Sequence, residues 1–100
     1  MEITTRGSNE LVISGIIKTI DDSMTLRDAV QKLYEGGATS ITLRIEDSFA
    51  LPSAVIGYLM KLVNRDKVRL TLQAGDRRLC ELLDELQLTG AFNVTCSSRS

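Results

Sequence analysis

The chain switches repeatedly between two hydrophobic periods, and this alternation restricts its fold more than any other feature. A strand sends successive side chains to opposite faces, whereas a helix repeats every 3.6 residues. Leu11 and Ile13 alternate, with Ile17 beyond them; so do Ile41, Leu43 and Ile45, and again Val68, Leu70 and Leu72. Between these runs the apolar spacing becomes helical, first through Leu26, Ala29, Val30, Leu33 and Tyr34. It does so again through Val55, Leu59, Leu62 and Val63, and through Leu79, Leu82, Leu83 and Leu86. Glu2 to Thr5 reads as a strand joined to Leu11–Ile17 by the turn Gly7-Ser8-Asn9, and Phe92 with Val94 as a last short strand. A hairpin followed by helix–strand–helix–strand–helix predicts an α/β fold. Its mixed β-sheet has parallel strands covered by three or four helices. The 100 residues fit a single domain over 1–100, with 96–100 read as a frayed tail.

The punctuation between elements agrees with this reading. Thr25 and Asp28 have the spacing of a capping box at the start of the first helix, and Gly36-Gly37 ends it. The second helix runs from about Pro52 to Asn64, with proline at a first-turn position where its missing N–H costs nothing. Gly75-Asp76 leads into the third, with Asp76 as its cap.

Composition excludes several function classes. Twelve Lys and Arg balance 13 Asp and Glu for a net charge of −1, which argues against a nucleic-acid binder. Arg65, Lys67 and Arg69 are interrupted by Asp66 and read as a solvated strand edge. There is no histidine, so a Cys/His zinc site and a Cys–His nucleophile pair are ruled out. Cys80 and Cys96 are too few for a disulfide framework; Cys80 reads as a packing residue and Cys96 as part of the tail. No apolar segment approaches the roughly 20 residues that cross a bilayer, and the first residues lack the pattern of a secretory signal. A reducing cytoplasm is the expected location. Glu46 and Asp47 are adjacent loop acids without a third ligand, so no metal is expected. Gln73-Ala74-Gly75-Asp76 lacks the repeated glycines and the Lys-Ser/Thr of a phosphate cradle. No nucleophile–base pair or paired acids stand out, so neither an enzyme nor a cofactor is expected.

The second helix carries the candidate site. At 100° per residue, Ser53, Gly57, Lys61 and Asn64 share one narrow arc. Val55, Leu59, Leu62 and Val63 lie opposite, on the core side. Ala54 and Tyr58 border the polar arc on one flank, Ile56 and Met60 on the other. The helix thus offers more apolar surface than a single sheet contact requires. One account of this is complete burial; the other is a flat docking strip with apolar shoulders, suited to a partner protein because nothing in it performs chemistry.

ITLRIEDSFALPSAVIGYLMKL, followed by VRLTLQAGDRRLCELLDELQLTGAFNV, resembles the STAS domain of anti-sigma-factor antagonists, and the likeness covers most of the chain. The resemblance implies a non-enzymatic partner-switching regulator of transcription. Such a domain binds an anti-sigma-type serine kinase when unphosphorylated and is reset by a PP2C-like phosphatase. In the family, an Asp-Ser-Ser/Thr-Gly motif opens the helix, and its second hydroxyl is phosphorylated. Aligned on Leu59, Pro52 stands in place of the Asp, Ser53 in place of the first Ser, Ala54 in place of the modified hydroxyl and Val55 in place of the Gly. Asp47-Ser48 falls five residues too early for that motif, and the Thr-Gly usual near the third helix's end becomes Leu86-Gln87.

The expected partner-binding residues are therefore Asp47, Ser48, Pro52, Ser53, Ala54, Gly57, Tyr58 and Lys61. Ser53 is the remaining candidate for phosphorylation; its ordinary role would be to satisfy first-turn N–H groups. The alternatives are a small-ligand or nucleotide-binding STAS accessory module, or a scaffold or homodimerisation domain. No nucleic acid or membrane partner is expected, and the chain should be a monomer or weak homodimer.

Overall fold

A computed structural model of the chain describes residues 1–96. Its elements are β1 (Glu2–Arg6), β2 (Glu10–Ser14), α1 (Ile20–Glu35), β3 (Ser40–Ile45), α2 (Ser53–Asn64), β4 (Arg69–Ala74), α3 (Arg77–Glu85) and β5 (Val94–Cys96). The strands form one five-stranded sheet in the order β1-β2-β3-β4-β5. The β1–β2 hairpin is antiparallel, with Thr4 opposite Val12, and every later pairing is parallel. The fold is thus α/β with a mixed sheet and three helices among the described residues.

Register sorts the side chains between the two faces. Leu11 pairs with Leu43 and Leu43 with Leu72; Ile13 pairs with Ile45 and Ile45 with Ala74. Paired residues share a face, so these rows, with Ile41 and Leu70, form one apolar surface, and all of them are buried. The other face carries Thr4, Val12, Thr42, Arg44, Thr71, Gln73 and Thr95. Each crossover steps one strand further in the same direction, and right-handed connections then place all three helices on the apolar face. That clustering on one side matches the apolar/polar division of the strands.

Each helix buries the residues its period selects. Leu26 and Val30 of α1, Val55, Leu59 and Leu62 of α2, and Leu79 and Leu83 of α3 join one core with Ile17, Leu51, Leu88 and Phe92. Several expectations need correction. The first helix begins six residues earlier than the spacing predicts. Thr19 and Asp22 form the capping box, whereas the Thr25 hydroxyl donates to the Asp21 carbonyl at 2.8 Å. Ile20 and Met24 face outward and the first inward residue is the polar Ser23, so the apolar period starts only at Leu26 and hides the first turn. Leu86 lies at the C-terminal cap of α3, exposed, and leaves the expected leucine face. Ile17 lies beyond β2, because Gly15 at φ +87° turns the chain out of the strand.

Cys96 is paired in β5 opposite Ala74; the rest of the expected tail, 97–100, lies outside the described residues. Cys80 and Cys96 are joined by a disulfide between α3 and β5, with Cα atoms 6.1 Å apart. This corrects the reading of Cys80 as mere packing and removes the cysteine argument for a reducing compartment, since such bonds persist where conditions are oxidising or serve as redox-responsive links.

Gly57 lies inside α2 with no atom within 4 Å of the position its Cβ would take. Gly57→Ala is expected to stabilise the domain by about 0.5–1 kcal/mol, from reduced backbone entropy and better helix propensity. Urea denaturation checks this; a loss of stability would mean the site is not the open helical position described.

Candidate functional site

α1, α2 and α3 all start at the carboxyl ends of the parallel strands, where α/β sheets commonly gather their binding residues. Their three first turns are finished differently. The Thr19 hydroxyl accepts from the Asp22 N–H at 3.0 Å, and the Asp22 carboxylate accepts from the N–H groups of Lys18 and Thr19. Those backbone donors hold the Asp22 carboxyl below its ordinary pKa. Asp76 caps α3 by accepting from the Arg78 N–H at 2.8 Å, and the Arg78 guanidinium grips the same carboxylate. The side-chain bond from Arg78 is the main reason the Asp76 carboxyl titrates low, with the Arg78 N–H adding to it.

α2 has no such finish. Pro52 occupies the cap position and no side chain bonds to the first turn. The Pro52 carbonyl accepts from Val55 and Ile56, which leaves the N–H groups of Ser53 and Ala54 and the Ser53 hydroxyl without a partner among the described residues. The expectation that Ser53 satisfies first-turn donors is therefore corrected. Its side chain is exposed and uncommitted at the positive end of a helix.

A groove of about 450 Å³ runs between the starts of α1 and α2, lined by Lys18, Thr19, Ile20, Ser23, Met24, Arg27, Pro52, Ser53 and Ala54. Ile20 is 80% exposed and Met24 48%, values high enough to make them available rather than incompletely packed. One turn apart, they present an apolar ridge beside the open α2 terminus. Ile16 and Phe49 are also exposed, in the loops that leave β2 and β3 at this end. The other exposed large apolar residues, Tyr34 and Leu86, lie at the far ends of their helices. The apolar surface is therefore concentrated at one end, with Lys18 and Arg27 supplying positive charge.

The β3–α2 loop is held in place from three directions. The Asp47 carboxylate accepts from the Gly15 N–H at 3.1 Å. The Ser48 hydroxyl accepts from the Ile17 N–H at 3.2 Å and donates to the Ala50 carbonyl at 2.7 Å. The Arg78 guanidinium sits 4.6 Å from the centre of the Phe49 ring, a cation–π contact. At the base of this loop, a side chain on Gly75 would come within 2.6 Å of the Glu46 carbonyl oxygen; this close approach is why glycine stands before Asp76.

The structure thus divides the expected partner-binding set. Pro52, Ser53 and Ala54 line the groove, and Gly57 and Lys61 continue along the exposed side of α2. Asp47 is exposed but engaged with Gly15. Ser48 leaves the set, because it is fully buried and its hydroxyl is already engaged by the Ile17 N–H beyond β2 and the Ala50 carbonyl of its own loop. Tyr58 is half-buried against the core with Ile56 and Met60, and burial raises its phenol pKa. The shoulders expected on α2 are mostly packing surface, and the exposed apolar part comes from α1 instead.

Sequence reasoning missed Lys18, Ile20, Met24 and Arg27. The available signal was Thr19-x-x-Asp22, a capping box that would have placed Ile20 and Met24 on successive turns at the helix start, outside the Leu26/Val30 register. Among the described residues, no group of three or more metal-binding side chains comes together. Glu46 lies 3.8 Å from Arg44 across an exposed pair. No described helix is long and apolar enough to cross a membrane. Neither a protein-family model, nor a curated protein, nor a solved structure matches the chain.

Proposed function

We propose that the chain is a non-enzymatic regulatory docking domain of the STAS type. It binds its partner in the groove between the starts of α1 and α2. The resemblance in sequence names that partner as an anti-sigma-type serine kinase or a PP2C-like phosphatase. The observation that carries this reading is the groove itself, where exposed Ile20 and Met24 stand beside the uncapped α2 terminus and uncommitted Ser53. An apolar ridge with a few donors and two cations suits a protein segment that brings a carboxylate or carbonyl to the helix start.

Ala54 at the family's modified position leaves no hydroxyl to phosphorylate there. The domain then acts as a constitutively competent antagonist, with Ser53 as the one place at this helix start where a phosphate could intervene. A negative charge at Ser53 would face Lys18 and Arg27 in the same groove and compete with any acidic group of the partner. In the cytoplasm implied by such a role, the Cys80–Cys96 bond would be of the redox-responsive kind.

The test is calorimetry with the partner recovered from the native cell. Ser53→Asp and Met24→Asp are expected to weaken binding by at least about tenfold each, a difference of about 1.4 kcal/mol. The fold should persist, because an acid at a helix start is favourable and Met24 is exposed. Thr42→Asp, on the polar sheet face, should leave affinity unchanged. Affinity that ignores both groove substitutions would contradict the reading.

A second reading, a small-ligand or nucleotide-binding module, draws on the same groove, whose volume falls within the range of ligand pockets. An anionic ligand that raises the melting temperature, with the rise abolished in the Lys18→Ala/Arg27→Ala variant, would favour that reading over protein docking.

A further inference from the structure

We propose that the outer edge of β1 is a homodimerisation site, at which a second copy of the chain pairs antiparallel about Thr4 to extend the sheet. A sheet edge presents unpaired N–H and C=O groups, and proteins normally cover or shorten it. The two edges here are treated differently. β5 is three residues long and is tied to α3 by the Cys80–Cys96 disulfide. β1 is five residues long, outermost in the sheet, and exposed at Glu2, Thr4, Thr5 and Arg6.

The sequence of that edge is complementary to itself. In Glu2-Ile3-Thr4-Thr5-Arg6, a two-fold axis through Thr4 sets Glu2 opposite Arg6 of the other copy and Ile3 opposite its Thr5. Directly opposed residues in an antiparallel pair have Cβ atoms about 4.5–5.5 Å apart, and opposite charges there attract. Symmetry produces the Glu–Arg contact twice, both on the polar face, because Glu2 and Arg6 share the face of Thr4. Within the monomer Glu2 lies opposite Ser14 and Arg6 opposite Glu10 across the hairpin, and neither closes a salt bridge among the described residues. Charges on an edge ordinarily oppose pairing; here an acid at one end and a base at the other make the edge complementary to a second copy of itself.

The apolar face of the sheet supports the same geometry. A cleft of about 500 Å³ lies between β1 and α1, lined by Ile3, Thr5, Thr25, Asp28, Ala29, Lys32 and Leu33. α1 runs in roughly the same direction as β1, since both are antiparallel to β2, so a β1–β1 pair sets the two α1 helices antiparallel on one face of the extended sheet, with this cleft and half-buried Ile3 beside the seam. This surface is separate from the groove at the helix starts, and dimerisation leaves that groove open.

Sedimentation velocity on protein tagged only at its C terminus tests the proposal by charge exchange. The native chain is expected to self-associate over the micromolar range. Glu2→Arg and Arg6→Glu each convert both symmetric contacts to repulsion and are expected to weaken the dimer by about tenfold or more. The double variant Glu2→Arg/Arg6→Glu restores opposite charges and should return to near-native association, with circular dichroism unchanged throughout. A native chain that remains monomeric, single variants that associate like the native chain, or a double variant that stays as weak as the singles would each overturn the proposal.

Discussion

Leu83→Ala is expected to destabilise the domain by about 2–5 kcal/mol. Leu83 is fully buried on α3 and belongs to the same apolar cluster as Leu72, Leu79 and Phe92. Truncation removes the transfer free energy of the lost carbons and leaves a cavity that a tightly packed interior closes only in part. α3 is short and has little stability of its own, so its position depends on Leu79 and Leu83 entering the core. Leu86→Ala, one residue type in the same helical period, should cost far less because Leu86 is 48% exposed at the cap. The pair of variants separates burial from composition. Urea denaturation giving equal, small losses for both would mean that α3 is not seated as described.

Reducing the Cys80–Cys96 bond is expected to cost about 3 kcal/mol, the loop-closure value for a link of this length. The bond holds a strand with few ladder positions against β4. Its loss should therefore fall first on Val94–Cys96, while buried Phe92 keeps the preceding segment in the core. Cys96→Ser should reproduce the loss without reductant and become insensitive to it. Thermal unfolding with and without a dithiol, together with thiol titration of the denatured protein, measures both points. Titration of two thiols in protein never exposed to reductant would contradict the bond.

The sheet and its helices were legible because their residues obey one rule at a time. Ile41, Leu43 and Ile45 alternate because only one face of β3 meets helices. Leu26 and Val30, Val55 and Leu59, and Leu79 and Leu83 repeat because each helix lays one stripe on that face. The candidate site was legible only in part, since an exposed apolar surface breaks those rules. Ile20 and Met24 are apolar but point outward, so a reading that starts helices at the first inward residue passes over them. Ser53 was found because it interrupts an apolar run, yet its lack of a bonding partner is a property of the assembled first turn. Ser48 shows the opposite case: its sequence resembles an exposed Asp-Ser motif, and only the folded loop shows the hydroxyl bonded to Ile17 and Ala50. The Cys80–Cys96 pairing depends on β5 lying beside β4 and could not be read from two isolated cysteines.

Whether a partner docks where α1 and α2 begin is read out by site-specific photo-crosslinking in the native cell. A photoreactive residue replaces Met24 in one variant and Thr42, on the polar sheet face, in another. A discrete adduct from position 24 to a serine kinase or PP2C-like phosphatase is expected. That adduct should be lost when Ser53→Asp is added, and none should form from position 42. Equal labelling from both positions, or an adduct from 42 alone, would contradict docking at the helix starts.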